Sequence, residues 1–425
     1  MSHIKAFEFS RAYIVVVGGG FAGIAAAITA GRNGRSVLLV EKGNSLGGAA
    51  SNGLVNPFMP NRTRLGDDTE ATELSQGLFA EIVERLKEMD AIRKSRIFHE
   101  EYLKLILNRM ACEAKVNLLY HSHLIDVNKN DGRIESIIVA NKSGRMEIFA
   151  DFFIDATGDA DLAVMSGCPW RLGRESDNLC QPMTLSFRVA NVDMEKYKTA
   201  RHTITPLYNE MQKQCKIKNV REDVLVFDNI IDGVLHFNST RVVKRNPVDA
   251  FDLTKAEIEA REQVFELFEF MKNNIDGFQN AQLLMTASAI GVRESRMIDG
   301  EYVLTADDLV SCRKFEDSIA VGNYDIDIHN PEGSGTSHYY FPEGQYYSIP
   351  YRSLIPKNVD NLLVAGRCIS ATHEAQASIR IMPIVCCLGE AAGEAVSIAS
   401  ENKISVREVD ITRLREKLIK SGAMI

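Results

Sequence analysis

YIVVVGGGFAGIAAAITAGRNGRSVLLVE, from Tyr13 to Glu41, reads as a complete strand, helix and strand. The β-branched run Tyr13 to Val17 has the composition of a buried strand, the alanine-rich run is a helix, and Ser36 to Val40 is the next strand. Between the first two elements Gly18, Gly20 and Gly23 form G-x-G-x-x-G. A pyrophosphate there meets bare backbone amides and the positive end of the helix dipole, and a side chain at Gly20 would block it. Gly23 lets helix and strand pack closely, Ala27 continues that small face, and Gly34 turns the chain into the second strand. Glu41, 18 residues after Gly23, is placed to accept hydrogen bonds from a ribose and argues against a 2′-phosphate, since two negative charges would face each other. The fingerprint in this setting predicts dinucleotide binding but does not choose between NAD and FAD.

Ala12 to Gly31 is uncharged and about as long as a membrane helix requires, yet its glycines cluster at the fingerprint turn and alanine contributes little transfer energy. Glu8 between Lys5 and Arg11, with no convincing cleavage site after them, speaks against a leader. At 425 residues and 45% hydrophobic content the chain can bury large cores and form two or three domains. A formal charge of −8 without long basic runs predicts neither nucleic acid nor membrane as a partner. Eight cysteines without C-x-x-C or zinc-like spacing fit reduced thiols and a cytoplasmic location. The adjacent Cys386 and Cys387 read more simply as small packing residues than as a redox pair.

Later segments favour FAD. Gly47 and Gly48 make a second glycine turn six residues past Glu41. FFIDATGDADL, from Phe152 to Leu162, is an apolar strand closing on Ala156, Thr157 and Gly158, where it would meet the same cofactor. NLLVAGRCIS, from Asn361 to Ser370, is another strand ending near Gly366, and Pro383 then opens a helix whose remaining N-terminal amides can face an electron-rich group.

These segments together resemble the FAD-dependent oxidoreductases of the glutathione-reductase-like FAD superfamily. LGGAASNG, IDATGD, the central IGVRESR (Ile290 to Arg296) and AGRCISATHEAQASIRIMP carry the likeness over nearly the whole chain. The resemblance implies an α/β fold: a Rossmann-like FAD-binding domain with a parallel sheet and a β-meander, plus an inserted α+β substrate domain with a mixed or antiparallel sheet. It implies cofactor contacts from Gly18, Gly20, Phe21, Ala22 and Gly23, from Glu41, Lys42, Gly47 and Gly48, and from Leu124 on the adenine side. Further contacts would come from Ala156, Thr157 and Gly158, and from Gly366, Arg367, Arg380 and Met382. Many relatives carry Gly-Asp where this chain has Gly366-Arg367, so Arg367 is expected to reach phosphate rather than a ribityl hydroxyl.

Motif order divides the chain into a discontinuous FAD-binding domain (1–57, 98–162 and 347–425), a helical cap segment (58–97) and a substrate domain (163–346). Leu74, Leu78, Ile82 and Leu86 at four-residue spacing predict an amphipathic helix over Glu70 to Met89. Asp252 to Asn274 is a long helix with a Thr254/Glu257 capping box, and Thr305 with Asp308 starts a shorter one. GSGTS at Gly333 lacks the strand and helix of a second fingerprint, so no dedicated NAD(P)H domain is expected and electrons pass through the substrate or a separate carrier.

Flavin chemistry asks the protein to position a substrate C–H and to manage protons. The catalytic candidates are Arg293, which Glu294 could also neutralise together with Arg296, His338 in a Gly- and Tyr-rich lid-like loop, His373, and Arg380 just before the Pro383 helix. His121 and His123 alternate on one strand but lack an acid or cysteine to complete a metal site, so no metal is expected. The sequence thus predicts an enzyme that moves a hydride between a small molecule and FAD. Reduction of an unsaturated substrate by a carrier and a non-catalytic FAD-binding or assembly role remain open, as do substrate identity and oligomeric state.

Overall fold

The computed structural model describes residues 5–7, 13–66 and 69–425; Glu8 and Arg11 lie outside the described residues. Five parallel strands form the central sheet in the order Leu362–Val364, Phe152–Asp155, Tyr13–Val17, Ser36–Val40, Asn117–Leu119. Val17 stands opposite Val40 on one side and Asp155 on the other, and Asp155 in turn opposite Val364. Because the strands end in register, Gly18, Glu41, Ala156 and Ala365 all leave the sheet at one edge. Ligands of open parallel sheets bind beyond that carboxyl edge.

Alternation along these strands assigns the two faces. Ile14, Val16, Val37 and Leu39 join the core formed with the helices, while Val15, Val17, Leu38 and Val40 join a second core beneath the meander. The meander pairs His123–Asn130, Arg133–Asn141 and Gly144–Phe149 antiparallel, and Lys5–Phe7 adds a parallel edge. Its first turn is Asp131-Gly132 with φ of +44° and +76°, the left-handed pair a two-residue hairpin needs.

On the opposite face the fingerprint helix Phe21–Arg32 is crossed by the C-terminal helix Met382–Asn402. A β-carbon at Gly389 would lie 2.0 Å from the Ala22 carbonyl oxygen, and one at Gly393 would lie 2.4 Å from that of Ala26. Backbones meet here with no side chain between them. The C-terminal helix is the one described helix long and apolar enough to cross a membrane, and that apolar stretch is wholly buried inside the protein.

A second, antiparallel sheet runs Val226–Asp228, Leu235–Phe237, Phe187–Ala190, Gln282–Thr286, so the expected mixed or antiparallel sheet is antiparallel. Phe187 and Phe237 stack at 4.7 Å, and the helix Ala250–Asn274 buries Ala256, Ala260, Val264 and Leu267 in the same core. A hairpin of Ile326–His329 and Thr336–Tyr339 stands apart from this sheet.

Three sequence expectations are corrected. The helix expected over Glu70 to Met89 covers Leu78–Glu88, because Gly77 at φ +61° interrupts the chain and Glu390 accepts a hydrogen bond from the Leu78 amide at 3.0 Å. The long helix starts earlier, capped by Asp249, whose carboxylate accepts from the Asp252 amide. Thr254 is interior and donates back to the Ala250 carbonyl, while Glu257 accepts from the Ile290 amide. Finally, the strand after His121 starts at His123, and His121 has φ +52°, so the two histidines do not alternate on one strand. The Thr305/Asp308 capping box is present as read.

Gly389→Val would force its side chain into the Ala22 carbonyl. The expected loss is about 1–3 kcal/mol or more in denaturant unfolding; an unchanged midpoint and slope would contradict this close crossing.

Candidate functional site

The fingerprint turn has the shape a pyrophosphate requires. Gly18, at φ +103°, leaves no room for a side chain, since a β-carbon would lie 2.3 Å from the Ala156 carbonyl oxygen. One at Gly23 would lie 1.8 Å from the Gly18 oxygen. At Gly20, in contrast, the nearest atom is 4.0 Å away, on Gly48, so the open side of the turn is there. No side chain caps the following helix and no acid occupies its first turn, which leaves its amides and dipole to an anion. Phe21 turns its ring inward, edge-on to Phe58 at 5.5 Å, and Ala22 is buried against the C-terminal helix; both face the turn through backbone alone.

Glu41 is buried, and both its oxygens are engaged: Oε2 accepts from the Gly19 amide and Oε1 from the Gly43 amide, each at 2.6 Å. The acid therefore braces the two glycine segments, and each oxygen keeps a second lone pair for a ribose. The Gly47 amide donates to the Gly19 carbonyl, and Gly48 lies against Gly20, so both glycine turns form one cradle. Lys42 is exposed at its rim. Leu124 lies on the meander and packs partly against the core between the sheets.

At the neighbouring strand end, Asp155 is fully buried and accepts from the Thr157 amide, the Thr157 hydroxyl and the Ala163 amide. Burial raises its pKa to about 6. Gly158, at φ +81°, is covered by the Arg367 guanidinium, which donates to Asp159 at 2.7 Å. Arg367, expected to reach phosphate, thus has a carboxylate partner, while its Nε is buried without one. Gly366, at φ +110°, lies beside Ala22. The helix holding Met382 and Pro383 is likewise free of a side-chain cap and of acids in its first turn.

Arg293 to Arg296 connect this edge to a cluster of polar and charged side chains. Ser295 donates to Asp159 at 2.6 Å, and Arg296 donates to the Asp159 carbonyl and pairs with Asp161. Glu294, fully buried, accepts from His373 at 2.7 Å and from the Gln181 amide. It neutralises neither flanking arginine, contrary to that reading of IGVRESR. His373 opens the helix His373–Ile379 with its ring buried on Glu294, whereas Arg293 points the other way. Its Nη1 donates to the Pro182 carbonyl at 2.7 Å and to the Thr184 hydroxyl at 2.6 Å, and its Nη2 donates to Asn238 at 3.3 Å.

Near Arg293, Arg380 donates to Asp327 at 3.2 Å and keeps a buried, unpartnered Nε. Arg241 is shared among Glu222, His329, Thr336 and two carbonyls, and Arg221 pairs with Asp223. Burial works to raise the Asp327 pKa, but His329 beside it and then the charges of Arg380 and Arg293 outweigh burial and hold the group ionised. Burial and the Arg293 charge press His329 down to about 3, so it is neutral. His338 lies on the hairpin strand Thr336–Tyr339 rather than in a free loop. Its Nδ1 is 2.5 Å from Asp325, and its ring stacks on Tyr340. Burial raises the pKa of Asp325.

The fold brings Arg293, Arg380 and His338 to one polar region and leaves His373 behind Glu294. Sequence reading missed Asp325, Asp327 and His329. Their signal was present, since Asp327 and His329 are spaced by two on the strand Ile326–His329 and share a face, and Asp325 directly precedes that strand. Ligand atoms of Asp325, Asp327 and His338 lie within 4.8 Å of one another; Arg380 is on Asp327 Oδ2, and the Oδ1 that faces His338 is buried without a hydrogen-bond partner among the described residues. Cys386 and Cys387 are buried, with thiol pKa values raised by burial, that of Cys387 to about 12.

The model of the FAD dependent oxidoreductase family matches residues 14–418. The chain belongs to this family, and it is an FAD-dependent enzyme. The uncapped helix starts and the open face at Gly20 fit that cofactor. No curated protein matches the sequence. Among solved structures, a geranylgeranyl bacteriochlorophyll reductase-like protein from Thermoplasma acidophilum is 12% identical, with a TM-score of 0.46 over 98% of this chain and 85% of its own. The p-nitrophenol 4-monooxygenase PnpA from Pseudomonas putida DLL-E4 is 10% identical, at 0.46 over 97% and 84%. The flavin-dependent brominase Bmp2 is 11% identical, at 0.47 over 96% and 83%.

Two outcomes follow. Glu41→Ala removes a charged acceptor from two amides, each such bond contributing about 1.5–3 kcal/mol. FAD affinity should fall about tenfold or more when apoprotein is titrated with FAD and followed by fluorescence, and an unchanged Kd would refute the bracing role. For Asp155 the folded-state pKa lies above the unfolded one. Its favourable contribution is therefore complete below about pH 4 and is lost as pH rises to about 6, a change of about 3 kcal/mol. Wild-type stability relative to Asp155→Asn should decline across that window in denaturant titrations; a flat difference would show that the carboxyl ionises freely.

Proposed function

We propose that this enzyme transfers a hydride between a small-molecule substrate and FAD, on a glutathione-reductase-like plan without a nicotinamide domain. FAD, when bound, supplies two-electron chemistry at flavin N5. The cofactor cradle lies at the carboxyl edge of the parallel sheet, and residues 163–346 are read as the substrate part. A separate carrier or acceptor completes the cycle. No second dinucleotide fingerprint follows the first in the sequence, which favours that arrangement.

The observation that carries this reading is the pairing of His338 Nδ1 with Asp325 at 2.5 Å, in a hairpin whose Asp327 also meets Arg380. Substrate oxidation releases a hydride and a proton, and the proton needs a residue of this chain. Asp325 orients the imidazole and leaves Nε2 to take that proton, the arrangement of a general base held by a carboxylate. Arg380 lies two residues before the uncapped helix start at Met382, where its charge and the helix dipole favour an electron-rich reduced cofactor.

Purified protein should be yellow and bleach on anaerobic reduction. His338→Gln should lower kcat about 10²-fold or more with FAD retained, and Arg380→Ala should move the flavin midpoint potential negative by on the order of 30 mV. Colourless protein that FAD cannot reconstitute, or a His338 variant at full kcat, would overturn the assignment.

A further inference from the structure

We infer that the substrate is an anion bearing a carboxylate, and that Arg293 is the group that holds it. This rests on the proposed hydride transfer at the same site and adds the class of molecule that enters it. The charges of Arg380, Arg221 and Arg241 all act on the Arg293 guanidinium, and that of Asp327 acts on it with the opposite sign. Three have a carboxylate: Arg221 on Asp223, Arg241 on Glu222, Arg380 on Asp327. His329 is neutral, and Asp325 is taken by His338. Arg293 is left with the Pro182 carbonyl, the Thr184 hydroxyl and the Asn238 amide oxygen, none of which carries charge.

A guanidinium in this position is costly, since burial and then the neighbouring cations press its proton affinity well below that of an ordinary arginine. Arg293 is partly open to solvent, as are Asn238 and Arg380.

The unused hydrogens specify what that ligand is. Nη1 carries two hydrogens, and both are donated, to Pro182 and Thr184. Nη2 gives one to Asn238, while Nε has no partner among the described residues. Nε–H and one Nη2–H therefore remain, two donors of one planar group that the two oxygens of a carboxylate can accept. Among the described residues Arg293 alone of the four has no carboxylate within ion-pair distance, so an entering carboxylate would supply the anion that the other three already have. The backbone is fixed for this purpose as well, since Gln376 donates to the Arg293 carbonyl at 2.9 Å.

The test titrates FAD-loaded protein with carboxylates of increasing size, acetate, oxalate, succinate, benzoate and citrate, alongside acetamide, benzamide and inorganic phosphate. Binding is read from perturbation of the visible flavin spectrum and from calorimetry. At least one carboxylate should bind, its amide at least tenfold more weakly. Arg293→Met should weaken that carboxylate tenfold or more with the FAD content unchanged, and Arg293→Lys should recover part of the loss. The inference is overturned if no carboxylate binds, if amide or phosphate binds as well, or if Arg293→Met binds like wild type. Arg293-dependent binding with a flavin that no donor reduces would defeat hydride transfer and leave the anion site standing. Turnover of neutral donors without carboxylate binding would do the reverse.

Discussion

Two carbonyl oxygens, those of Ala22 and Ala26, lie where β-carbons at Gly389 and Gly393 would have to be. That backbone-to-backbone approach fixes the first turns of the fingerprint helix against a helix more than 360 residues later in the chain. Met382 lies about 10 Å further along that helix at its normal rise per residue. Two uncapped helix starts are therefore held at fixed positions relative to each other. The in-register strand ends supply the rest, because Gly18, Glu41, Ala156 and Ala365 leave the sheet together.

The cofactor end was legible because its requirements are local. A glycine that must admit phosphate, a strand and an acid after it all fall within 29 residues, and their order is their geometry. Helix starts were less legible where a distant group decided them, as Glu390 does for the helix beginning at Leu78. Asp249 was overlooked because Thr254 and Glu257 offered a better local pattern, which the structure uses for other bonds. The charged cluster was least legible of all. Nothing in IGVRESR says that Glu294 will choose His373, or that Arg296 will choose Asp161 and leave Arg293 with neutral partners.

The two ends of the site differ in electrostatic character. Around the fingerprint, positive potential comes from backbone amides and helix dipoles, which are immobile and do not titrate. In the charged cluster it comes from guanidinium groups balanced against carboxylates, where the loss of one partner changes the sum. The first arrangement suits a resident cofactor, and the second suits a molecule that arrives and leaves. Arg367 lies between them: it covers Gly158 while its charge is held by Asp159.

Residues 293–296 touch both ends within four positions. Arg293 reaches Thr184 and Asn238, beside the second sheet, whereas Ser295 and Arg296 are fastened to the Gly158–Asp161 turn of the first. A chimera grafting another second sheet onto this cofactor domain would therefore have no clean cut point near the segment. A splice before it would set a foreign second sheet against Arg293, and one after it would set foreign residues against the Gly158–Asp161 turn. Variation in the second sheet is thereby tied to the contacts that residues 293–296 keep with the first.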